Sequence, residues 1–379
     1  MQITTQIPKT RNYFIRLQGT MMKPFEVDYI IVGQGLAGSA VALQLLKRDK
    51  SILVIDRIKP NAPSRVAVGL FNPITGRHSI KTWFADLLFP YFHEFYKEAE
   101  VLTNQRCFYP APLYKPFASI EEQNEWMSKS ADPGYYGYVE SINTRPAFSF
   151  VKDQFGGMIL NQCGYLDTIA YLSAIRGLIR ARGTLLEETF EEGLLIPGDQ
   201  EIRYRNYTSA HIIFCQGLDA AEWFKWVPVL PLKGETIRIQ SDHSQNIIVN
   251  RGVYVVPANQ NGTWRVGATY SLTDRADGIT EQARNELTSK LSELVTFSYE
   301  IVGQDWGNRP TTHDRRPILG SHPEYPRMHI FNGMGPKGVS LAPYFSDILV
   351  KYIENGDPLN KDVNIERYKS LYWSPSTRL

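Results

Sequence analysis

A short glycine motif, GQGLAG, constrains the fold of this chain more than any other feature of its sequence. Its glycines, Gly33, Gly35 and Gly38, stand between the apolar run YIIV and an Ala- and Leu-rich stretch that ends at Lys47. A second apolar run, SILVID, then ends on Asp56. This order is typical of a strand–helix–strand unit in which the glycines allow the turn, the approach of a pyrophosphate and the close packing of the helix. The motif therefore predicts a bound dinucleotide, with a close-packed turn that binds nothing as the alternative.

A motif of the same spacing, GMGPKG, recurs near the other end of the chain, with glycines at Gly333, Gly335 and Gly338. A loop of this kind offers free backbone N–H groups, and a helix that starts there adds the positive end of its dipole. Two interpretations follow. Either the loop binds a second part of the same ligand, or it only caps an amphipathic helix.

The composition limits the class of ligand. The 379 residues are 43% hydrophobic and 21% charged, which is typical of a chain that folds throughout. The formal net charge is +2 and Lys and Arg form no basic block, so nothing indicates binding to nucleic acid or to an anionic membrane. We therefore expect a small-molecule ligand and, from the length of the chain, two domains.

Cysteine and histidine usage argues against disulfide bonds and metal. The three cysteines, Cys107, Cys163 and Cys215, are far apart and odd in number, which disfavours a disulfide framework and a CxxC metal site. None of the seven histidines forms a ligand-like pair. Residues 1–26 lack the apolar core of a secretory signal, and no run reaches the roughly 18 apolar residues of a membrane-spanning helix. These patterns predict a soluble, cytoplasmic protein without metal.

The remainder of the chain contains two kinds of sequence. Between Pro90 and Met158 the pattern is aromatic and punctuated by proline, without a further strand–helix–strand rhythm. A helical stretch from Gly164 to Gly183 and the apolar run HIIFCQG, which ends on Gly217, then return to the pattern of a parallel sheet. The segments VYVVP and WRVGAT indicate the two strands of a hairpin. The second domain is therefore expected to be mostly antiparallel sheet.

Taken in order, these segments resemble the D-amino-acid oxidase and glycine oxidase family of FAD-dependent amine oxidoreductases, the DAO family. The resemblance runs from about Asp28 to Tyr352. Each segment alone is weak, but their order along the chain is that of the family. The matching segments are GQGLAG, LVIDR, SRVAVGLFNP, GYLD, HIIFCQG, LPLKGE, VYVVP, WRVGAT, WGNRPTTHDRRPILG and GMGPKG.

The resemblance implies an α/β protein with a Rossmann-like FAD-binding domain built on a parallel sheet, and a second α+β substrate domain that is mostly antiparallel. We expect the discontinuous FAD-binding domain at residues 27–90, 159–228 and 305–360 and the substrate domain at 91–158 and 229–304. Residues 1–26 are expected to form a tail that can be disordered, and residues 361–379 a C-terminal extension. The sequence leaves open whether translation starts at Met1 or near Met21.

The resemblance also implies non-covalent FAD, because neither GMGPKG nor its immediate neighbours contain a cysteine that could attach a flavin there. The first motif is expected to bind the pyrophosphate, and Asp56, which replaces the family's usual glutamate, the adenosine ribose. The second motif is expected to face the pyrimidine end of the isoalloxazine ring, where a reduced flavin carries negative charge. The predicted cofactor-binding residues are Gly33, Gly35, Leu36, Ala37, Gly38, Asp56, Arg57, Ser64, Arg65, Gly69, Leu70, Phe190, Gly217, Gly333, Met334, Gly335, Pro336, Lys337 and Gly338.

Three residues are candidates for catalysis or substrate binding. Arg309 falls where relatives carry an arginine that holds the substrate carboxylate, and its planar, always charged guanidinium suits that role. The alternative for Arg309 is a structural pair with Asp305 or Asp314. Tyr254 falls in a segment that lines the substrate pocket in relatives, with an ordinary core residue as the alternative. Lys337 either places a positive charge beside the flavin or the substrate, or is solvated.

The activity implied by the resemblance is oxidation of the C–N bond of a small amino acid or secondary amine by hydride transfer to the flavin, giving an imine that water hydrolyses. The electron acceptor is oxygen or unknown. One alternative is oxidation of a carboxymethylamino group on modified tRNA, since the GLFNPxxGR style of segment also occurs in an enzyme of that kind, although the near-neutral charge counts against RNA. Another is a non-catalytic FAD-binding protein. Substrate identity, stereochemistry and oligomeric state stay open.

Overall fold

The computed structural model describes residues 24–76, 79–244, 247–257, 262–274 and 276–373. Almost all of the tail expected at residues 1–26, and the last residues of the extension expected at 361–379, lie outside these ranges. The α-helices are α1 (Leu36–Leu46), α2 (Pro63–Val66), α3 (Ala85–Thr103), α4 (Ile120–Lys129), α5 (Thr168–Arg182), α6 (Glu281–Ser292), α7 (Gly338–Asn355) and α8 (Lys369–Tyr372).

The β-strands belong to two large sheets and two small ones. In chain order they are β1 (Phe25–Val32), β2 (Ile52–Ile55), β3 (Leu70–Phe71), β4 (Ile74–Thr75), β5 (Ile80–Lys81), β6 (Phe108–Pro110), β7 (Leu113–Pro116), β8 (Val139–Asn143), β9 (Gly157–Leu160), β10 (Gly164–Leu166), β11 (Thr184–Leu186), β12 (Leu195–Pro197), β13 (Ile202–Tyr204), β14 (Tyr207–Phe214), β15 (Leu230–Gln240), β16 (Ile248–Arg251), β17 (Val253–Pro257), β18 (Thr263–Gly267), β19 (Glu300–Thr311), β20 (Ile318–Ser321) and β21 (Met328–Asn332).

The first large sheet contains the strand–helix–strand unit that the first glycine motif predicts. Strands β11, β2, β1, β14 and β21 lie side by side in this order and run parallel. Strand β20 pairs antiparallel with β21, and the hairpin β12–β13 pairs with the first half of β14. The central strands are continuous apolar runs because α1, α5 and α7 cover one face, while Phe224 and Trp226 pack on the other. The predicted Rossmann-like parallel sheet is confirmed.

The second large sheet has the strand order β19-β15-β18-β17-β16-β7-β9-β8, and every neighbouring pair except β16–β7 is antiparallel. Helix α6 packs Leu287 and Leu291 on one face, against residues such as Ile237. The opposite face carries Tyr254 and Arg309 and lines a cavity between the two large sheets. The mostly antiparallel second domain is confirmed, whereas the exact residue boundaries of the two domains stay a prediction.

A small hairpin, β4–β5, also lies at this cavity. Strand β4 pairs antiparallel with β5, with Ile74 opposite Lys81 and Thr75 opposite Ile80. Thr75 and Thr82, at its two ends, both line the cavity. The hairpin therefore brings hydroxyl groups to the space between the two sheets.

Candidate active site

The two large sheets form opposite walls of a cavity of about 1530 Å³. The C-terminal ends of β1, β2 and β14 and the starts of α1 and α7 form one wall, and the second sheet forms the other. Pockets for small ligands commonly measure about 300–1,000 Å³, so this cavity has room for a large cofactor together with a small substrate. All the cofactor-binding residues predicted from the sequence line it except Gly38 and Gly333.

The first glycine motif makes the tight turn between β1 and α1. A Cβ atom on Gly38 would lie only 1.8 Å from the carbonyl oxygen of Gly33, so the helix packs against the turn only because Gly38 has no side chain. Helix α1 begins at Leu36, whose N–H donates to the Ser64 hydroxyl at 3.1 Å, and its N-cap residue, Gly35, has no side chain that could cap the other free N–H groups. The positive end of the helix dipole therefore faces the cavity, as an anion-binding site requires.

The second glycine motif meets the first inside the cavity. Residues Gly335–Lys337 form a 3₁₀ turn, and α7 begins at Gly338 without a side-chain cap. Gly338 packs against the start of α1, because a Cβ atom there would lie 3.1 Å from Cδ1 of Leu36. Gly333 faces away from the cavity, toward Thr312. Two helix N-termini from opposite ends of the chain thus open side by side.

Asp56, at the end of β2, is held by an arginine that the sequence did not indicate. Its carboxylate accepts the Gln34 N–H at 2.9 Å and pairs with Arg176 of α5 at 2.7 Å. The Arg176 guanidinium is buried and also donates to the Gln34 side chain at 2.7 Å. Because a carboxylate can accept about four hydrogen bonds, Asp56 keeps capacity for a ligand hydroxyl.

Lys337 lies against the β4–β5 hairpin. Its ammonium group donates to the hydroxyls of Thr75 at 3.3 Å and Thr82 at 3.4 Å. Burial, together with the positive charges of Arg316 and Arg315, lowers the pKa of Lys337 to about 8. Among the described residues no carboxylate lies within 4.0 Å of this nitrogen. The lysine therefore brings a positive charge to the cavity near neutral pH, beside the second glycine motif.

Arg309, near the end of β19, is held without a counter-ion. Its guanidinium lies over Gly234 of β15, where a Cβ atom would stand 2.1 Å from Nη1. Neither acidic candidate partner is available, since Asp305 pairs with Arg238 at 2.6 Å and Asp314 with Arg367 at 3.2 Å. Among the described residues Arg309 forms no ion pair. A cavity-lining guanidinium with free donors is suited to bind a carboxylate in two-pronged fashion.

Tyr254, on β17, lines the same wall of the cavity as Arg309. It stands opposite Gly267, and a Cβ atom on that glycine would lie 2.7 Å from the Tyr254 hydroxyl. Burial raises the pKa of Tyr254, against an opposing effect of the positive charges of Arg309 and Arg265. The phenol therefore stays neutral near pH 7, and its hydroxyl is able to donate a hydrogen bond to a ligand next to Arg309.

Two buried amide oxygens at the cavity lack partners, and sequence inspection missed both. They are Oε1 of Gln216 and Oδ1 of Asn308, for which no described group donates a hydrogen bond. Buried polar atoms are normally paired, so an unpaired oxygen at a cavity indicates a ligand that carries donors. Asn308 is adjacent to Arg309 in β19, and Gln216 follows β14 beside the predicted Gly217.

The described part of the chain shows no metal site, no disulfide bond and no membrane-spanning helix. No cluster of three or more His, Cys, Asp or Glu side chains in ranges 24–76, 79–244, 247–257, 262–274 and 276–373 is arranged to hold a metal ion. Cys107, Cys163 and Cys215 are buried and unpaired by disulfides. Within the same ranges, every helix is too short or too polar to cross a membrane.

Comparison with known proteins finds relatives by sequence and by fold. A family model described as DAO, FAD dependent oxidoreductase, matches residues 28–352. The bifunctional protein ThiO/ThiG of Trichormus variabilis is 25% identical over 90% of this chain, which spans about half (55%) of the length of that relative. Glycine oxidase of Bacillus subtilis is 23% identical, with 89% of this chain and 94% of the relative covered. The crystal structure of glycine oxidase from Geobacillus kaustophilus shares the fold, with a TM-score of 0.74, 20% identity and coverage of 88% and 96% of the two chains.

Proposed function

The chain belongs to the DAO family of FAD-dependent oxidoreductases, and from this premise we propose that it oxidises the C–N bond of a small amino acid or secondary amine. The product is an imine, which water hydrolyses. One relative and one structural neighbour are glycine oxidases, and a further structure with a TM-score of 0.71 is an iminodiacetate oxidase. Both substrates named by these three proteins, glycine and iminodiacetate, are amines that carry a carboxylate.

The cavity suits FAD, the cofactor of the family. The uncapped start of α1 can receive the pyrophosphate, and Asp56 the adenosine ribose. The uncapped start of α7, with Lys337 in the preceding turn, can receive the pyrimidine end of the flavin ring. The unpaired oxygen of Gln216 offers an acceptor to a ligand donor. When bound, FAD supplies the oxidising power, because it accepts two electrons and a proton from the substrate as a hydride.

The observation that carries the proposal is the free guanidinium of Arg309. A non-catalytic flavoprotein has no need for a cation without a counter-ion on the wall opposite its nucleotide-binding helices. An amino-acid substrate supplies the missing carboxylate, and a two-pronged ion pair fixes which face of its α-carbon is presented to the cofactor. Tyr254, next to this position, can donate to the same carboxylate or to the departing nitrogen.

Lys337 and the second glycine motif are proposed to serve the cofactor more than the substrate. A positive charge and an uncapped helix start favour negative charge, which develops on a flavin as it is reduced. The two threonines that hold the lysine fix the position of that charge. We therefore expect Lys337 to influence redox behaviour while Arg309 and Tyr254 determine binding.

The proposal is tested by supplying candidate substrates to the purified protein with an artificial electron acceptor dye. Pools of D-amino acids, glycine, sarcosine, proline and other N-alkyl amino acids are compared with the same pools in which the carboxylate is an amide. Dye reduction that depends on the carboxylate supports the proposal, and dye reduction by none of them contradicts it. Replacing the dye with oxygen then distinguishes an oxidase from a dehydrogenase. Acid precipitation is expected to release all the yellow colour, since the flavin is proposed to be non-covalent.

Oxidation of a carboxymethylamino group on tRNA is the alternative that the same arginine could serve. A relative named for tRNA 5-methylaminomethyl-2-thiouridine biosynthesis, from Haemophilus ducreyi, is 19% identical over 89% of this chain, which spans 57% of that protein. The formal charge of +2 offers little attraction for RNA. Flavin reduction by modified tRNA, without reduction by any free amino acid, would favour this alternative.

A further inference from the structure

A second buried cation, Lys115, lines the cavity on the far side of Tyr254 from Arg309. Lys115 lies in β7, its residue is only 9% exposed, and its side chain reaches the cavity. The ammonium group donates to the hydroxyl of Ser79, in the β4–β5 hairpin that also holds Lys337. Buried Lys115 and half-buried Lys337 are thus both held by hydroxyl groups at one hairpin.

The charge of Lys115 is not neutralised by the protein around it. Among the described residues no carboxylate lies within 4.0 Å of its nitrogen. The acid whose charge acts on Lys115 is Glu122, which also lines the cavity and accepts the Ala118 N–H at 2.7 Å where α4 begins. Burial lowers the pKa of Lys115, against an opposing effect of Glu122. A buried ammonium group with only a hydroxyl partner is costly, so an anion in the cavity would stabilise it.

The position of Lys115 follows from the register of the second sheet. Tyr114 stands opposite Val249 in the parallel pair β7–β16, and Asn250 stands opposite Tyr254 in the pair β16–β17. Lys115 therefore lies in the same row as Asn250 and Tyr254, on the face that lines the cavity. Two strand spacings separate β7 from β17, which places the Lys115 backbone roughly 10 Å from that of Tyr254.

This wall of the cavity offers no other free cation close to Lys115 among the described residues. The guanidinium of Arg251 donates to the carbonyl oxygens of Phe117 and Glu293, both at 3.2 Å. Asn250, the neighbour of Lys115 in the row, is a neutral side chain. Lys115 and Arg309 thus lie at opposite ends of this wall, while Lys337, held by the same hairpin as Lys115, approaches the cavity from the turn before α7.

We propose that the substrate carries a second anionic group at the end remote from the oxidised carbon, and that Lys115, positioned by Ser79, binds it. The inference rests on the proposed function in one respect, since Arg309 is taken to hold the first carboxylate. Two cations separated along one wall favour a long amine with an anionic group at each end over an amine whose remote end is neutral. The second group is a carboxylate or a phosphate, which share the need for an ammonium partner.

The test is a binding titration with probes that cannot be oxidised. The FAD-bound protein is titrated with succinate, glutarate, adipate and pimelate, and with the monoamide of each, while the flavin absorbance is followed. The diacid of the best length should bind at least about tenfold more tightly than its monoamide, as expected for one added hydrogen bond to a charged group. Phosphonocarboxylates of the same lengths distinguish a phosphate site, where they bind more tightly than the diacids, from a carboxylate site, where they do not.

Variants of Lys115 distinguish an effect of its charge on diacid binding from a general disturbance of the cavity. Lys115→Met should abolish the preference for the diacid, and Lys115→Arg should retain it. Lys81→Met is the matched control, because Lys81 lies in the same hairpin but pairs with Asp86 at 2.7 Å and does not line the cavity. If Lys115→Met does not retain FAD, Ser79→Ala provides the second variant, with a smaller loss of the same preference.

Two results would overturn the proposal: equal affinities of diacid and monoamide in the unaltered protein, or an unchanged preference in Lys115→Met. Because the probes are inert, either result is independent of turnover. Failure of every amine to reduce the flavin would instead refute the proposed function, and it would leave the outcome of the titration intact.

Discussion

The guanidinium of Arg309 occupies the space that a side chain at Gly234 would fill, since a Cβ atom on Gly234 would stand 2.1 Å from its Nη1 atom. The two residues lie in adjacent strands of the second sheet, where Leu232 is opposite Arg309 and Gly234 is opposite Gly307. A glycine in one strand thus determines where the guanidinium of the next strand, which we propose binds a carboxylate, can rest.

Gly234→Ala should therefore impair substrate binding without a change in FAD content. The new methyl group displaces the guanidinium, which we expect to raise the KM for a carboxylate substrate about tenfold or more. Steady-state kinetics and the flavin-to-protein absorbance ratio measure the two quantities. Gly303→Ala is the matched control, because it crowds Arg238, which does not line the cavity, at 2.3 Å. An equal effect of the two variants would contradict the role given to Gly234.

Arg309→Met should lower kcat/KM for a carboxylate-bearing amine by about 10- to 100-fold, the range expected when a hydrogen-bonded charge pair is lost. The same variant should change kcat/KM for the corresponding amide little, since the amide gains no ion pair in the unaltered protein. The four kcat/KM values, for acid and amide in both proteins, form a thermodynamic cycle that isolates the interaction between Arg309 and the carboxylate. Equal losses for acid and amide would show that Arg309 acts on the structure of the site rather than on the carboxylate.

The depressed pKa of Lys337 predicts a pH dependence of stability in the FAD-free protein. Burial and the charges of Arg316 and Arg315 lower the pKa to about 8 from 10.5. Between these values the unfolded chain binds more protons than the folded protein, so the free energy of unfolding contributed by this group rises with pH. Denaturant unfolding from pH 7 to 10.5 should show a smaller rise in Lys337→Met than in the unaltered protein, because only the contribution of this lysine is removed. Parallel profiles for the two proteins would contradict the assigned pKa.

Arg176→Met should weaken FAD binding and lower stability together. The substitution leaves the Asp56 carboxylate partly buried without its cation, and loss of one member of a buried pair typically costs about 3–5 kcal/mol. FAD titration and thermal unfolding measure the two effects. Arg180→Met is the control, since Arg180 lies one turn further along α5 and pairs with Glu187 at the surface. Unchanged FAD affinity in Arg176→Met would remove Arg176 from the cofactor site.

The sequence predicted the parts of this molecule that depend on local chemistry. Each glycine motif specifies its own turn, and apolar runs specify the strands beside it, so the parallel sheet and both glycine loops could be read without tertiary information. The positions of Gly38 and Gly333 outside the cavity were not predicted. They depend on what packs against each glycine, which is Gly33 in one case and Thr312 in the other.

Residues that reach the site only through tertiary structure belong to no sequence motif comparable to the two glycine motifs. Arg176 interrupts an otherwise apolar helix face, which is the one local sign that it has a buried partner. Lys115 lies in a short strand between tyrosine and proline, and only the register of β7 with β16 shows that it faces the cavity. The free oxygens of Gln216 and Asn308 are visible only once their surroundings are known.

Anaerobic mixing of the yellow protein with carboxylate-bearing amines tests whether its flavin oxidises an amine whose carboxylate is bound by Arg309. The long-wavelength flavin band is followed after addition of glycine, sarcosine, proline, D-amino acids and longer doubly anionic amino acids. We expect bleaching by at least one of them, no bleaching by the matching amide, and loss of the response in Arg309→Met. A flavin that dithionite reduces but that no such amine bleaches would contradict it.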